Sequence, residues 1–191
     1  MQAFDALSLD PAVAKVIAVA LALLFAKAAF DKFADLPRFR GILDAYELLP
    51  SALVSFATPV VPIIETLTAA MLLVGCLNEA ARPGAGLVAA GLLGAYAVAI
   101  GINILRGRET LDCGCAPAGE QRPIGAWMAA RSGVLALLAL VSTLPGSPRE
   151  LGLVDAPLLV GGIIACVALY STLDQLWGKV APVTAMLRGS R

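Results

Sequence analysis

Five long apolar runs constrain this chain more than any other feature. They cover residues 12–34, 52–77, 84–105, 126–144 and 156–177. A helix needs about 20 predominantly apolar residues to cross the hydrocarbon core of a bilayer. Each run is of that order, and turn-forming stretches separate them. "LPSA" at 49–52 and "ARPGAG" at 81–86 precede the second and third runs, and "LPGSPREL" at 144–151 divides the fourth from the fifth. The expected fold is an all-α integral membrane protein: a compact bundle of about five transmembrane helices, a four-helix core plus one. Residues 1–191 read as one such domain, with 106–125 as a loop of distinct chemistry.

Composition agrees. Charged residues make up 15% of the chain and hydrophobic ones 59%, with a mean hydropathy of +0.85; a soluble domain carries about a quarter charged residues. The 14 basic and 14 acidic side chains cancel, and no basic tract offers a nucleic-acid footprint. The lipid bilayer is the expected partner. The chain has no histidine, which excludes His-ligated haem, His-containing zinc sites and His-based catalytic triads. Asp5 and Asp10 precede the first run, where a signal peptide would carry basic residues. That run is therefore read as a retained helix.

Within the spans, Pro59 and Pro62 remove backbone hydrogen bonds and predict a kink that neighbours must satisfy. Ala90 with Gly94, and Ala97 with Gly101, are small-xxx-small pairs that predict a close helix contact. Ionisable groups in hydrocarbon are costly and are usually functional or paired. Lys27 and Asp31 are one helical turn apart and can pair. Glu65 lies mid-span, Asn103 closes the third run, and Trp127 and Arg131 open the fourth. With the helix directions traced, Lys27, Asp31, Asn103, Trp127 and Arg131 fall toward the 106–125 loop, with Glu65 near the midplane. A polar pocket beneath that loop is expected, of a kind that could receive a quinone. The structural alternative is that Lys27 and Arg131 snorkel and neutralise Asp31 or Glu65.

Lys and Arg in connecting loops set orientation. One side collects Lys32, Arg38, Arg40, Arg106, Arg108, Arg122, Lys179, Arg188 and Arg191; the other has Lys15, Arg82 and Arg149. Nine against three places the 106–125 loop on the cytoplasmic side.

That loop holds Cys113-Gly114-Cys115. Two cysteines one residue apart can close a small ring, with Gly114 letting the backbone bend. Strained, exposed disulfides are the oxidising, exchangeable ones, so the pair suits dithiol–disulfide exchange. Paired thiolates also suit a soft metal such as Cu(I) or Zn, and chance juxtaposition is the third reading. Cys76 and Cys166 lie in the second and fifth spans and read as apolar fillers; their unequal depths argue against a disulfide between them.

Two motifs carry a resemblance. "AKAAFDKFADLPRFRGILDAYELLP" at 26–50 and "INILRGRETLDCGC" at 102–115 resemble elements of the MauE family, within the wider DoxX-like membrane proteins. Trp127 and Arg131 fit the next helix of that family. Where the family often reads Cys-Gly-Cys-Phe-Gly, this chain reads Cys-Gly-Cys-Ala-Pro. The resemblance implies a multi-pass protein of the bacterial inner membrane that supports maturation of periplasmic methylamine dehydrogenase. It implies a thiol–disulfide exchange role for Cys113 and Cys115, with a periplasmic thioredoxin-like partner and the disulfide-rich small subunit of the dehydrogenase as client. A soft-metal binder or transporter, and a non-catalytic scaffold for the thioredoxin-like partner, are the alternatives.

Overall fold

The computed structural model describes residues 9–108, 111–112, 124–147 and 151–189, with the side chains of 153 and 177–189 excepted. The described chain forms six α-helices: α1 (Pro11–Ala34), α2 (Leu36–Tyr46), α3 (Ser51–Leu77), α4 (Arg82–Leu105), α5 (Ala126–Val141) and α6 (Ala156–Gly189). Four of these have a stretch long and apolar enough to cross a membrane, namely α1, α3, α4 and residues Ala156–Leu176 of α6. The fifth, α5, is a shorter apolar helix of 16 residues, roughly 24 Å at 1.5 Å per residue. The protein is a multi-pass membrane protein of the expected class.

Helix boundaries follow local chemistry. The Asp10 carboxylate accepts from the Ala12 amide at 2.8 Å, and Pro11 opens α1, the arrangement expected of an N-cap. Asp35 repeats the device for α2, accepting from the Arg38 amide at 3.0 Å with Pro37 in the first turn. That second cap ends α1 and starts a short amphipathic helix, which a reading of 35–50 as plain connection does not foresee. Helix α2 buries Phe39 and Tyr46 and ends at Glu47 in the left-handed region, φ 47°. Pro59 and Pro62 lie inside α3 without ending it.

Packing runs chiefly between α1 and α3 and between α4 and α5, with α3 against α4 joining the two pairs and α6 resting on α1. Ala18, Leu21, Ala22 and Phe25 of α1 meet Ala69 and Leu72 of α3 and Ala85, Ala89 and Leu93 of α4 in the main core. The tight contact of α4 lies one turn earlier than the sequence suggests. A methyl group on Gly86 would stand 2.6 Å from Thr143 Cγ2 and 2.9 Å from the Ala139 carbonyl oxygen, whereas Gly94 and Gly101 face open space. Gly86 and Ala90 are themselves a small-xxx-small pair, and it is this pair that faces inward.

One end of the bundle is closed by Leu9 bridging to Gly146 and by Arg82 donating to the Leu144 carbonyl at 3.1 Å. The other end gathers α2, the close of α4 and the start of α5 around Tyr46, Ile100, Ile124 and Met128.

Candidate functional site

Buried polarity concentrates where α1, α3 and α4 meet. Glu65 is 0% exposed. Its Oε1 accepts from the Lys32 ammonium at 2.7 Å and from the Tyr96 hydroxyl at 2.7 Å. Lys32 also lies over two aromatic faces, 5.5 Å from the Phe39 ring centre and 5.7 Å from that of Tyr96. Four elements thus enclose one ion pair: Lys32 from α1, Phe39 from α2, Glu65 from α3 and Tyr96 from α4. Two buried charges survive in hydrocarbon only when paired and hydrogen-bonded, and the ring faces add cation–π attraction.

Glu65 is at the centre of this cluster, as its mid-span position suggests. The partner is Lys32, which sequence reasoning assigns to a loop. Periodicity held the signal: Ala18, Leu21, Phe25, Ala29 and Lys32 form one buried stripe along α1, at spacings of three and four. Lys27 falls off that stripe. It pairs with Asp31 at 2.7 Å, with 61% of its side chain exposed. The pairing that their four-residue spacing allows is present. Arg131 pairs with Asp174 of α6 and stacks 5.3 Å from the Tyr170 ring centre; Trp127 is half-buried one turn earlier on α5. Asn103 is 0% exposed, and its Nδ2 donates to the Ala99 carbonyl of its own helix at 3.1 Å. The six polar residues thus occupy distinct places: Lys27 exposed and paired with Asp31, Arg131 against α6, Trp127 half-buried on α5, and Glu65 and Asn103 in the interior.

At the same end of the bundle, four contacts brace the segment that leads to the cysteines. Arg38 of α2 donates to Asp112 at 2.7 Å. Arg108 donates to the Glu47 carboxylate at 2.5 Å and Arg106 to the Glu47 carbonyl at 3.4 Å. The Ile124 amide donates to the Leu111 carbonyl at 2.8 Å. Chain entry and exit around 112–123 are therefore held together. Cys113 and Cys115 lie outside the described residues; Asp112 is one peptide bond before Cys113. The Arg108 guanidinium holds the Glu47 carboxyl below the usual carboxylate range, through its hydrogen bond first and its charge second.

Cys76 and Cys166 are free thiols. Cys76 packs against the main apolar core, and Cys166 is exposed on the outer face of α6. Among the described residues, no group of three or more Cys, Asp or Glu side chains could hold a metal ion.

The chain matches the family described as methylamine utilisation protein MauE over residues 10–145. It is 34% identical to the "Methylamine utilization protein MauE" of Paracoccus denitrificans over 180 residues, covering 93% of this chain and 94% of that one. A MauE protein of Paracoccus versutus is 35% identical over 174 residues, 88% of this chain and 90% of the relative. That of Methylophilus methylotrophus is 32% identical over 172 residues, 88% of both chains. No solved structure gives a significant match.

Proposed function

Because the chain belongs to the MauE family of methylamine-utilisation proteins, we propose that it is an inner-membrane thiol–disulfide exchange protein whose working groups are Cys113 and Cys115. Its partner is a periplasmic thioredoxin-like protein, and the client is the small subunit of methylamine dehydrogenase. In the exchange, a partner thiolate attacks one sulfur of the Cys113–Cys115 disulfide and a mixed disulfide forms. The partner's second thiol displaces it. Two electrons pass from the partner, whose own disulfide closes, and Cys113 and Cys115 leave as thiols. The reverse sequence reduces the partner.

The observation that carries this reading is the bracing of the segment around the dithiol. Arg38–Asp112 and the Leu111–Ile124 backbone bond hold its two ends against α2 and the start of α5. These contacts fix the residues on either side of the pair, 111–112 and 124, which supports a defined place for a partner to approach. Setting aside the buried Lys32 and Arg82 leaves eight cations on this side against two on the other. The bias still favours a cytoplasmic dithiol. In that orientation the pair must open alternately to the two sides, taking reducing equivalents in the cytoplasm and passing them by this exchange to the periplasmic partner; in the opposite orientation the exchange is direct.

Thiol trapping followed by mass spectrometry, with and without reductant, tests the proposal. A reversible 113–115 disulfide supports it. Stoichiometric copper or zinc on the two thiolates, with no disulfide formed, would replace it with the metal-binding reading.

A further inference from the structure

The dithiol chemistry leaves the Lys32–Glu65–Tyr96 cluster without a task. Both donors converge on Glu65 Oε1. The other carboxylate oxygen, Oε2, is equally enclosed and has no hydrogen-bond partner among the described residues. A carboxylate offers about four lone-pair sites, and both donors here use the same oxygen. Seven residues beyond Tyr96 on α4, hence on the same face two turns closer to the cysteine end, Asn103 repeats the situation. Its Nδ2 is satisfied within its own helix, while its buried Oδ1 has no partner among the described residues. A buried acceptor left without a donor is destabilising. Two of them on one inward stripe call for donors.

Charge decides what kind. Lys32 and Glu65 already neutralise each other. A cation would place a second positive charge beside an ammonium enclosed by Phe39 and Tyr96. An anion would face the Glu65 carboxylate, and it could not donate to an acceptor. A neutral O–H group meets both requirements.

We propose that the Lys32–Glu65–Tyr96 cluster is a ligand site in which Glu65 Oε2 accepts a hydrogen bond from a neutral hydroxyl, that of an internal water or of a membrane-soluble hydroquinone. The site is independent of the dithiol reading. Its test involves no thiol, so failure of one leaves the other standing.

The test uses the full chain in lipid nanodiscs, carrying ¹³C-labelled glutamate and threonine, observed by solid-state NMR. The Glu65 Cδ signal is assigned by its loss in Glu65→Gln. Should that variant fail to fold, Lys32→Met/Glu65→Met removes both charges and serves instead, since an apolar pair of similar volume can replace a buried ion pair. Polarisation transfer from water protons is expected to build up several-fold faster at Glu65 Cδ than at the side chain of Thr68, which is 1% exposed. In the second arm a short-chain benzohydroquinone is added. Transfer from its ring protons to Glu65 Cδ, with loss of the water signal, identifies a hydroquinone site; an unchanged water signal identifies an internal water. Slow transfer in both arms, no faster than at Thr68, overturns the proposal.

Discussion

Lys32, in the last turn of α1, sets its ammonium 2.7 Å from Glu65 Oε1, halfway along α3. The pair joins two helices through charges that neither could carry alone into hydrocarbon. Lys32→Met or Glu65→Ala is expected to destabilise the protein by about 3–5 kcal/mol, because each leaves an uncompensated buried charge. Lys32→Met/Glu65→Met should recover most of that loss. Thermal unfolding in detergent measures the cycle; single variants no weaker than the double one would remove the pair from the structural account.

Gly86 and Gly94 make a matched test of helix packing. A methyl group at Gly86 meets Thr143 and the Ala139 carbonyl, and at Gly94 it meets nothing. Gly86→Ala should cost about 1–3 kcal/mol by overpacking, and Gly94→Ala should leave the unfolding temperature unchanged. Equal effects would mean that α4 and α5 do not approach at Gly86.

The helical class and four of the spans were legible because a period-free apolar run of bilayer length has few other folds. Pairing was less so. Lys27–Asp31 lies within one helix and follows from a four-residue spacing. Lys32–Glu65 joins residues 33 apart, and only the buried stripe of α1 marks Lys32 as inward. Helix α2 went unread because eleven polar-faced residues after a long span look like a loop; its signal was Asp35 followed by Pro37. Asp174, the partner of Arg131, lies at the far end of an apolar run and gave no local cue.

Glu47 reports on the clasp at the cysteine end. Its carboxyl is held below the usual range by Arg108. A depressed carboxyl contributes stability that is present above the unfolded-state value and is lost as pH falls through the folded one. The clasp is therefore complete at neutral pH and opens only in acid. Titration of the Glu47 carboxyl carbon by NMR should show a value below that of an exposed glutamate, returning to the ordinary range in Arg108→Gln. An unshifted wild-type titration would mean the clasp is not populated.

Arg38 and Asp112 brace the entry to the dithiol segment at 2.7 Å. Arg38→Ala or Asp112→Asn is expected to lower client maturation severalfold at unchanged membrane abundance. Parallel loss of abundance would assign the pair a folding role only.

The cation count, eight against two once the buried Lys32 and Arg82 are set aside, predicts a cytoplasmic dithiol. A membrane-impermeant thiol reagent added to intact cells should label Cys113 and Cys115 slowly, and a C-terminal reporter active only in the cytoplasm should be active. Rapid labelling from outside would reverse the topology and favour direct exchange with the periplasmic partner.

The most direct measurement replaces both cysteines. In a methylamine-induced host, grown on another carbon source, whose only MauE-type protein is the Cys113→Ser/Cys115→Ser variant, the variant should reach the membrane in normal amount. Methylamine dehydrogenase activity should be abolished, with the small subunit lacking its native disulfides, because exchange needs both sulfurs. Full dehydrogenase activity with both sulfurs gone would contradict the account.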